Sequence, residues 1–365
     1  MELIDTSEKI YENVSNLIEA HNIKFDVKIV TDIESHLDEI VDFINKNYMD
    51  KDKGFSLFYS NELIKYYLID SLPLLFYARN NPNRIVGLII GKLFNFSIYK
   101  KNIEAFEGNY MCLIPQLRNL HLPKLIIAHL IKAHMEKDGI KERKLNYKFG
   151  YYTTSKQINT EPICSKKFIH RCINYDELCN LEVVDTSKNF NVFKKLYSKF
   201  IYPDKFKQYK ISQKIETNQI DEILNKMKIY QEKHFDIYVN INSDMIKNVN
   251  ESSAFIKFII TNNINNIEAY IVFYKLDILN KSKNKYARTL YLHYYFTNQN
   301  DNIIDYLEFI GEYMKNNNIC DMFITNLFDD NLPPRYFMGS GKLFYNLWNV
   351  KPFKIKEQRL QMIII

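Results

Sequence analysis

Residues 107–118, EGNYMCLIPQLR, end an apolar run and lead into a helix opened by Pro123. A strand, a turn and a helix in that order leave unpaired backbone N–H groups at the helix start, which suit a phosphate or pyrophosphate. Many α/β turns share that order, so further blocks must carry the argument. Cys112 lies inside the run and offers a nucleophile for a covalent acyl intermediate. It has no predictable histidine partner and reads as a small buried hydrophobe. Cys164, His170, Cys172 and Cys179 invite a zinc reading, but no pair among them has metal-ligand spacing, so no metal is expected. Gly339-Ser340-Gly341 stands out in a chain with 9 glycines in 365 residues, against a usual share of ~7%. Two glycines so placed suit the close approach of another backbone.

Such groups need a scaffold, and hydrophobic periodicity supplies one. Residues 1–25 read as an amphipathic helix with Ile10, Val14, Leu17 and Ile18 on one face. Helices are expected over 33–47, 61–68, 192–200, 220–230 and 303–315, and from Pro123 to a Gly139 cap. Aromatic-rich runs predict strands over 74–78, 85–94, 105–113, 144–152, 255–260, 269–276, 290–297, 344–348 and 359–365, with turns at 80–83 and 262–266. Helices followed by successive strands, twice over, predict α+β domains with mixed sheets.

Composition narrows the class. Hydrophobic residues at 46% and charged residues at 25% describe a packed globule, and the length suits roughly two domains. No apolar run reaches the ~18 residues of a membrane span. The start, MELID, lacks the basic and apolar regions of a secretory signal. Five cysteines, an odd number, do not make a disulfide framework, so a reducing, cytoplasmic setting is expected. The net charge of +6 is mild. Lys is scattered even in the Lys/Tyr-rich stretch 194–214, which argues against nucleic acid as a partner. Lys, Asn, Ile and Tyr are abundant in every segment, which reads as the coding bias of an AT-rich genome.

Four blocks accompany residues 107–118: Asn47-Tyr48 with FSLFY at 55–59; Thr154 with Pro162 and IHRCIN at 169–174; residues 335–351; and the apolar segment 359–365. In that order and at those separations they resemble the glycylpeptide N-tetradecanoyltransferase (N-myristoyltransferase) family. The family reads EINFLCVxxxLR over 107–118, WHRSLN over 169–174 and FGxGDGxLxYYLYNW over 336–350. The resemblance runs from about Phe25 to Ile365.

The resemblance implies an α+β fold of two acyl-CoA N-acyltransferase-like (GNAT-type) domains related by a pseudo-twofold, with mixed sheets flanked by helices. An N-terminal helical segment, 1–25, would precede an acyl-CoA-binding domain, 26–175, and a peptide-binding domain, 176–365. The implied reaction moves tetradecanoate from myristoyl-CoA, a co-substrate and not a permanent cofactor, to the amine of an N-terminal glycine. By position, the terminal carboxylate of Ile365 would be the general base and Thr154 would hold the glycine amine. The backbone amides of Tyr110 and Met111 would polarise the thioester. CoA would lie along Cys112, Leu113, Arg118, Asn119, Leu120, His121, Leu122 and Lys124. The peptide would meet Asn47, Tyr48, Asp50, Asp52, Phe55, Leu57, Tyr59, His170, Gly339, Ser340 and Gly341. The expected partners are myristoyl-CoA and proteins or peptides with an N-terminal glycine, with no integral membrane contact and a monomeric chain.

Two departures bear on function. The family loop LRSKRxAP is basic, whereas this chain has LRNLHLPK over 117–124, keeping Arg118 but placing Leu120 and His121 at the next two basic positions. Weaker CoA affinity is expected. The aspartate of GDG is Ser340, which loosens the demand for Lys or Arg in the peptide. The competing readings are a catalytically silent acyl-CoA or peptide-binding homologue, and an acyltransferase with altered chain-length or peptide preference.

Overall fold

The computed structural model describes residues 4–48, 54–137, 150–158, 160–184, 190–298, 301–327 and 332–362, with Ser340 through its backbone alone. Its helices start where the sequence supplies a cap. Thr6, Asp32, Ser60, Asn174, Asn242 and Asn302 each accept a backbone N–H of the first helical turn, which satisfies a donor the helix itself cannot. The helices Ile33–Asn47 and Asn61–Leu68 begin and end where the spacing predicts. The first helix, Ser7–Ala20, buries Ile10 and Val14 but leaves Leu17 38% exposed.

A mixed 14-stranded sheet holds the molecule together. In the N-terminal half, Ser71–Ala78, Asn81–Ile98 and Lys101–Leu113 form an antiparallel trio. The helix Pro123–Lys137 follows, and Gly150–Thr154 then pairs in parallel with Lys101–Leu113. Phe255–Thr261, Ile267–Lys275 and Thr289–Thr297 form a second antiparallel trio. The helix Ile303–Asn316 follows, and Met322–Thr325 pairs in parallel with Thr289–Thr297. The repeat of this unit is the symmetry that the resemblance implies. Tyr336–Trp348 joins the halves, lying antiparallel between Gly150–Thr154 and Cys164–Cys172. A small second sheet pairs Asp277–Asn280 with Phe55–Phe58 and so ties a segment of each half together.

Several strands outrun their apolar cores. Asn81–Ile98 and Lys101–Leu113 are joined through Tyr99 and Lys100, both with positive φ, 48° and 65°, the backbone of a two-residue type I′ hairpin. Of the expected terminal strand over 359–365, the described part is a two-residue pairing, Leu360–Gln361 beside Ile237–Val239. Gly139 lies outside the described residues, as does the first part of the strand expected over 144–152. No helix among the described residues is long and apolar enough to cross a membrane.

Candidate active site

The strand Lys101–Leu113 carries a bulge in the middle of the 107–118 block. Leu88 pairs with Cys112 and Ile90 with Asn109, so Tyr110 and Met111 together stand opposite Ile89. One extra residue in a strand leaves backbone groups out of the ladder and re-aims them. Tyr110 has φ 50°, a left-handed conformation costly for a bulky residue. Its N–H donates to Asn109 Oδ1 at 2.8 Å. The expected amide donor is therefore held by its neighbour's side chain in this state. Met111 is 37% exposed at the same bulge.

On its other edge this strand parts from Gly150–Thr154. Their parallel pairing has two rungs, Phe106 with Gly150 and Glu107 with Tyr151. Tyr110 and Thr154 each lie three residues past the last rung, one on each arm of the V. Thr154 Oγ1 accepts from Asn346 Nδ2 at 3.4 Å, which leaves the threonine proton available to donate.

The expected aromatic blocks converge on the bulge. The Tyr110 ring lies 5.5 Å from that of Tyr48, 5.6 Å from Tyr59 and 5.0 Å from Tyr67. Tyr59 is fixed through its backbone, since Asn45 Oδ1 accepts its N–H and Asn45 Nδ2 donates to its carbonyl, both at 2.9 Å. Phe55 and Leu57 belong to the small sheet. The Asn47 side chain donates to Phe43 O at 3.0 Å and caps its own helix. Asp50, Asp52 and Ile365 lie outside the described residues.

Residues 112–124 divide sharply. Cys112 and Leu113 are buried, and burial pushes the Cys112 thiol up to about 12, so it is no ready nucleophile. Arg118 donates from its guanidinium to the Asn47 carbonyl and, at 3.2 Å, to the Leu113 carbonyl. Its charge is thus engaged in fastening the turn to the end of Ile33–Asn47. Leu122, at 0% exposure, turns its side chain into the core and leaves its carbonyl to accept from Ile126 N at 3.0 Å. Asn119, Leu120, His121 and Lys124 line the exposed turn, with His121 at φ 54°. The helix beyond has no acidic residue in its first turn, so its free N–H groups favour an anion.

The C-terminal half contributes a groove. Between Met338, opposite Ile169, and Lys342, opposite Lys167, the three residues Gly339, Ser340 and Gly341 bulge against Phe168 alone. A Cβ at position 339 would stand 2.3 Å from His170 Nε2, so no larger residue fits there without displacing that ring. His170 stacks on Phe337 with centroids 5.1 Å apart, and burial pushes it down to about 4, leaving it neutral at physiological pH. Arg171, next in the chain, points the opposite way and is wholly buried. Among the described residues no group of three or more His, Cys, Asp or Glu could hold a metal ion.

Two residues that composition and spacing did not single out stand at the V. Asn109 holds the Tyr110 amide. Glu107 accepts from Tyr67 Oη at 2.6 Å and from Asn109 Nδ2 at 3.5 Å, and burial pushes its carboxyl up to about 7. A glutamate and an asparagine inside the apolar run 105–113 were the available signal.

Residues 2–143 match the family described as Myristoyl-CoA:protein N-myristoyltransferase, N-terminal domain. A putative glycylpeptide N-tetradecanoyltransferase of Acanthamoeba polyphaga mimivirus is 28% identical over 138 residues, 35% of this chain and 36% of that protein. The glycylpeptide N-tetradecanoyltransferase of Candida glabrata is 23% identical over 293 residues, 73% of this chain and 60% of that one. The chain thus matches less than two thirds of either relative's length. The crystal structure of Saccharomyces cerevisiae N-myristoyltransferase with bound myristoyl-CoA superposes with a TM-score of 0.74 at 19% identity, covering 97% of this chain and 85% of that one. That match gives the fold, two acyltransferase-type domains, with GNAT-type acyltransferases at greater distance. Domain profile, relatives and fold agree with the five ordered blocks and support the N-myristoyltransferase family, whose N-terminal domain residues 2–143 match.

Proposed function

We propose that the protein transfers the tetradecanoyl group of myristoyl-CoA to the amine of an N-terminal glycine. The observation that carries this reading is the V between Lys101–Leu113 and Gly150–Thr154, with a bulge on one arm and Thr154 on the other. The thioester carbonyl would enter beside the Tyr110 and Met111 amides, displacing Asn109 Oδ1 from the first. Such donors are typically worth ~3–4 kcal/mol each to the oxyanion. Thr154 would orient the amine, which attacks the carbonyl carbon. One ammonium proton passes to the base and CoA departs as its thiolate.

The base in this reading is the terminal carboxylate of Ile365. Leu360 and Met362 are buried at 1% and 5%, and Lys166 Nζ donates to Leu360 O at 2.6 Å. These contacts bury the segment as far as Met362, and on this reading the carboxylate beyond it would be desolvated and so a better base. A second reading, a homologue that binds without transferring, is favoured by one observation, the engagement of Arg118 with backbone carbonyls. Mass spectrometry of a Gly-initiated peptide incubated with myristoyl-CoA separates the two. Acylation of the glycine amine is expected, and extending the chain past Ile365 should lower kcat at least ~100-fold, the usual scale of a positioned base. Full activity of the extended chain would remove Ile365 from the mechanism. Absence of transfer by the unextended chain would favour the binding homologue.

A further inference from the structure

Against the bulge at 339–341 opens a cavity of about 360 Å³. Its walls include Phe168 and His170 from Cys164–Cys172, Phe337 from Tyr336–Trp348, Val184 beyond the helix Tyr175–Asn180, and Ile278 from the small sheet. Among the described residues its lining contains no Asp, Glu, Lys or Arg. His170 faces the cavity as a neutral ring stacked on Phe337. Phe337 stands at the second position of the 336–350 block, where the family pattern has a glycine. The ring therefore occupies space that the pattern leaves open and makes this wall aromatic.

Register fixes how far the cavity lies from the acceptor amine, on the transfer reading proposed above. Thr154 pairs with Phe344. Phe344 also pairs with Ser165, and the lining residues Phe168 and His170 follow Ser165 on the unbulged strand by three and five residues, roughly 10–16 Å at ~3.3 Å per residue. An extended peptide whose first residue lies at Thr154 would bring about its fourth to sixth residue to the cavity. At 339 and 341 a Cβ would stand 2.3 Å from His170 Nε2 and 3.1 Å from the Phe168 ring, so the two glycines let both rings keep their places in the cavity wall. A lysine or aspartate side chain entering the cavity would lose water without gaining an opposite charge from the described lining. An aliphatic or aromatic side chain would bury apolar surface against apolar walls.

We propose that this cavity reads the acceptor peptide and selects an aliphatic or aromatic side chain, at about the fourth to sixth residue from the acceptor glycine, in place of a basic one. Specificity at this point is set by Phe337 and Val184 more than by Ser340. The test is acyl transfer by the full chain to Gly-initiated peptides in which each of positions 3–7 in turn carries Leu, Phe, Ser or Lys on an Ala background. At one position Leu and Phe should exceed Lys at least ~10-fold in kcat/KM, chiefly through KM. Val184 is half-buried at the rim, and Val184→Asp should reverse that preference by about tenfold. Phe337→Gly gives an independent check and should lower the preference for Phe and Leu to a similar extent. Equal turnover of Leu and Lys peptides at every position overturns the proposal and leaves the transfer reading intact. Failure to acylate any peptide overturns both.

Discussion

Glu308 and Glu107 are both carboxylates shut inside the protein, at 0% and 3% exposure, yet they are held by different chemistry. Glu308, on the helix Ile303–Asn316, receives two guanidiniums and a backbone amide. Arg171 Nε donates at 3.0 Å, Arg335 Nε at 2.6 Å and the Ile201 N–H at 3.1 Å. Arg171 spends its remaining donors on the carbonyls of Cys172, Tyr197 and Lys199. Glu107, at the neck of the V, meets neutral donors. Lys92 shares its rung, but Lys92 Nζ turns to the carbonyls of Tyr67 and Tyr66, at 3.1 and 3.5 Å. Burial moves this pair in opposite directions, Glu107 up to about 7 and Lys92 down to about 8. A buried acid given charged partners in direct contact becomes a fixed strut. One given hydroxyls keeps its proton within reach of physiological pH.

The strut is the place to expect the largest loss. Arg171→Met removes one charge of the cluster and orphans three backbone carbonyls, and breaking such a buried pair costs about 3–5 kcal/mol. Urea unfolding at neutral pH measures it. A loss below about 1 kcal/mol would mean that Arg335 alone satisfies Glu308 and that the two acids are alike after all.

A smaller effect is expected at Glu107, and it depends on pH. A carboxyl whose folded pKa is raised from 4.5 to about 7 binds its proton more tightly in the folded chain. Stability therefore falls as pH climbs through that window and is level above it. Glu107→Gln can still accept from Tyr67 but cannot titrate. Between pH 5 and pH 7.5 the unsubstituted protein should lose about 1–2 kcal/mol more than the variant, taken from urea midpoints at each pH. Parallel pH curves for the two proteins would show that Glu107 keeps an ordinary pKa and is as fixed as Glu308.

The contrast between these acids also marks what the sequence makes legible. Helices such as Ile33–Asn47 announce themselves, because an apolar face recurs at helical spacing behind a capping residue. The strand Cys164–Cys172 does not. Lys166 and Arg171 are buried at 7% and 0%, so charges sit where the alternation rule expects apolar residues. Ser243–Glu251 buries Ile246 and Val249 alone and leaves too thin a stripe to read. Gly339 and Gly341 suggest a loop, but the chain bulges there inside one strand, so Tyr336–Trp348 extends well before the 344–348 run. At the site, ordered residue types reveal which blocks belong together. The two-for-one bulge at Tyr110, the engagement of Arg118 with carbonyls and the Phe337–His170 stack depend on what the partner strand presents. No local pattern encodes that.

The smallest expected effect lies at the bulge itself, and it tests whether that region is built for stability at all. Every donor around Glu308 named above has an acceptor. Beside Glu107, by contrast, the Tyr110 hydroxyl is buried and meets no hydrogen-bond partner among the described residues. Desolvation holds it well above the usual tyrosine range, so it stays a neutral donor. An orphaned buried hydroxyl carries a desolvation penalty that phenylalanine avoids while filling nearly the same space. Tyr110→Phe should therefore leave the protein as stable or stabilise it by up to about 1 kcal/mol, read as a higher urea midpoint at unchanged slope. The backbone amide that the transfer reading uses is untouched by this change. A destabilisation of more than about 1 kcal/mol would show that the hydroxyl has a partner in the folded chain and that the V is as fully satisfied as the Arg171–Glu308–Arg335 cluster.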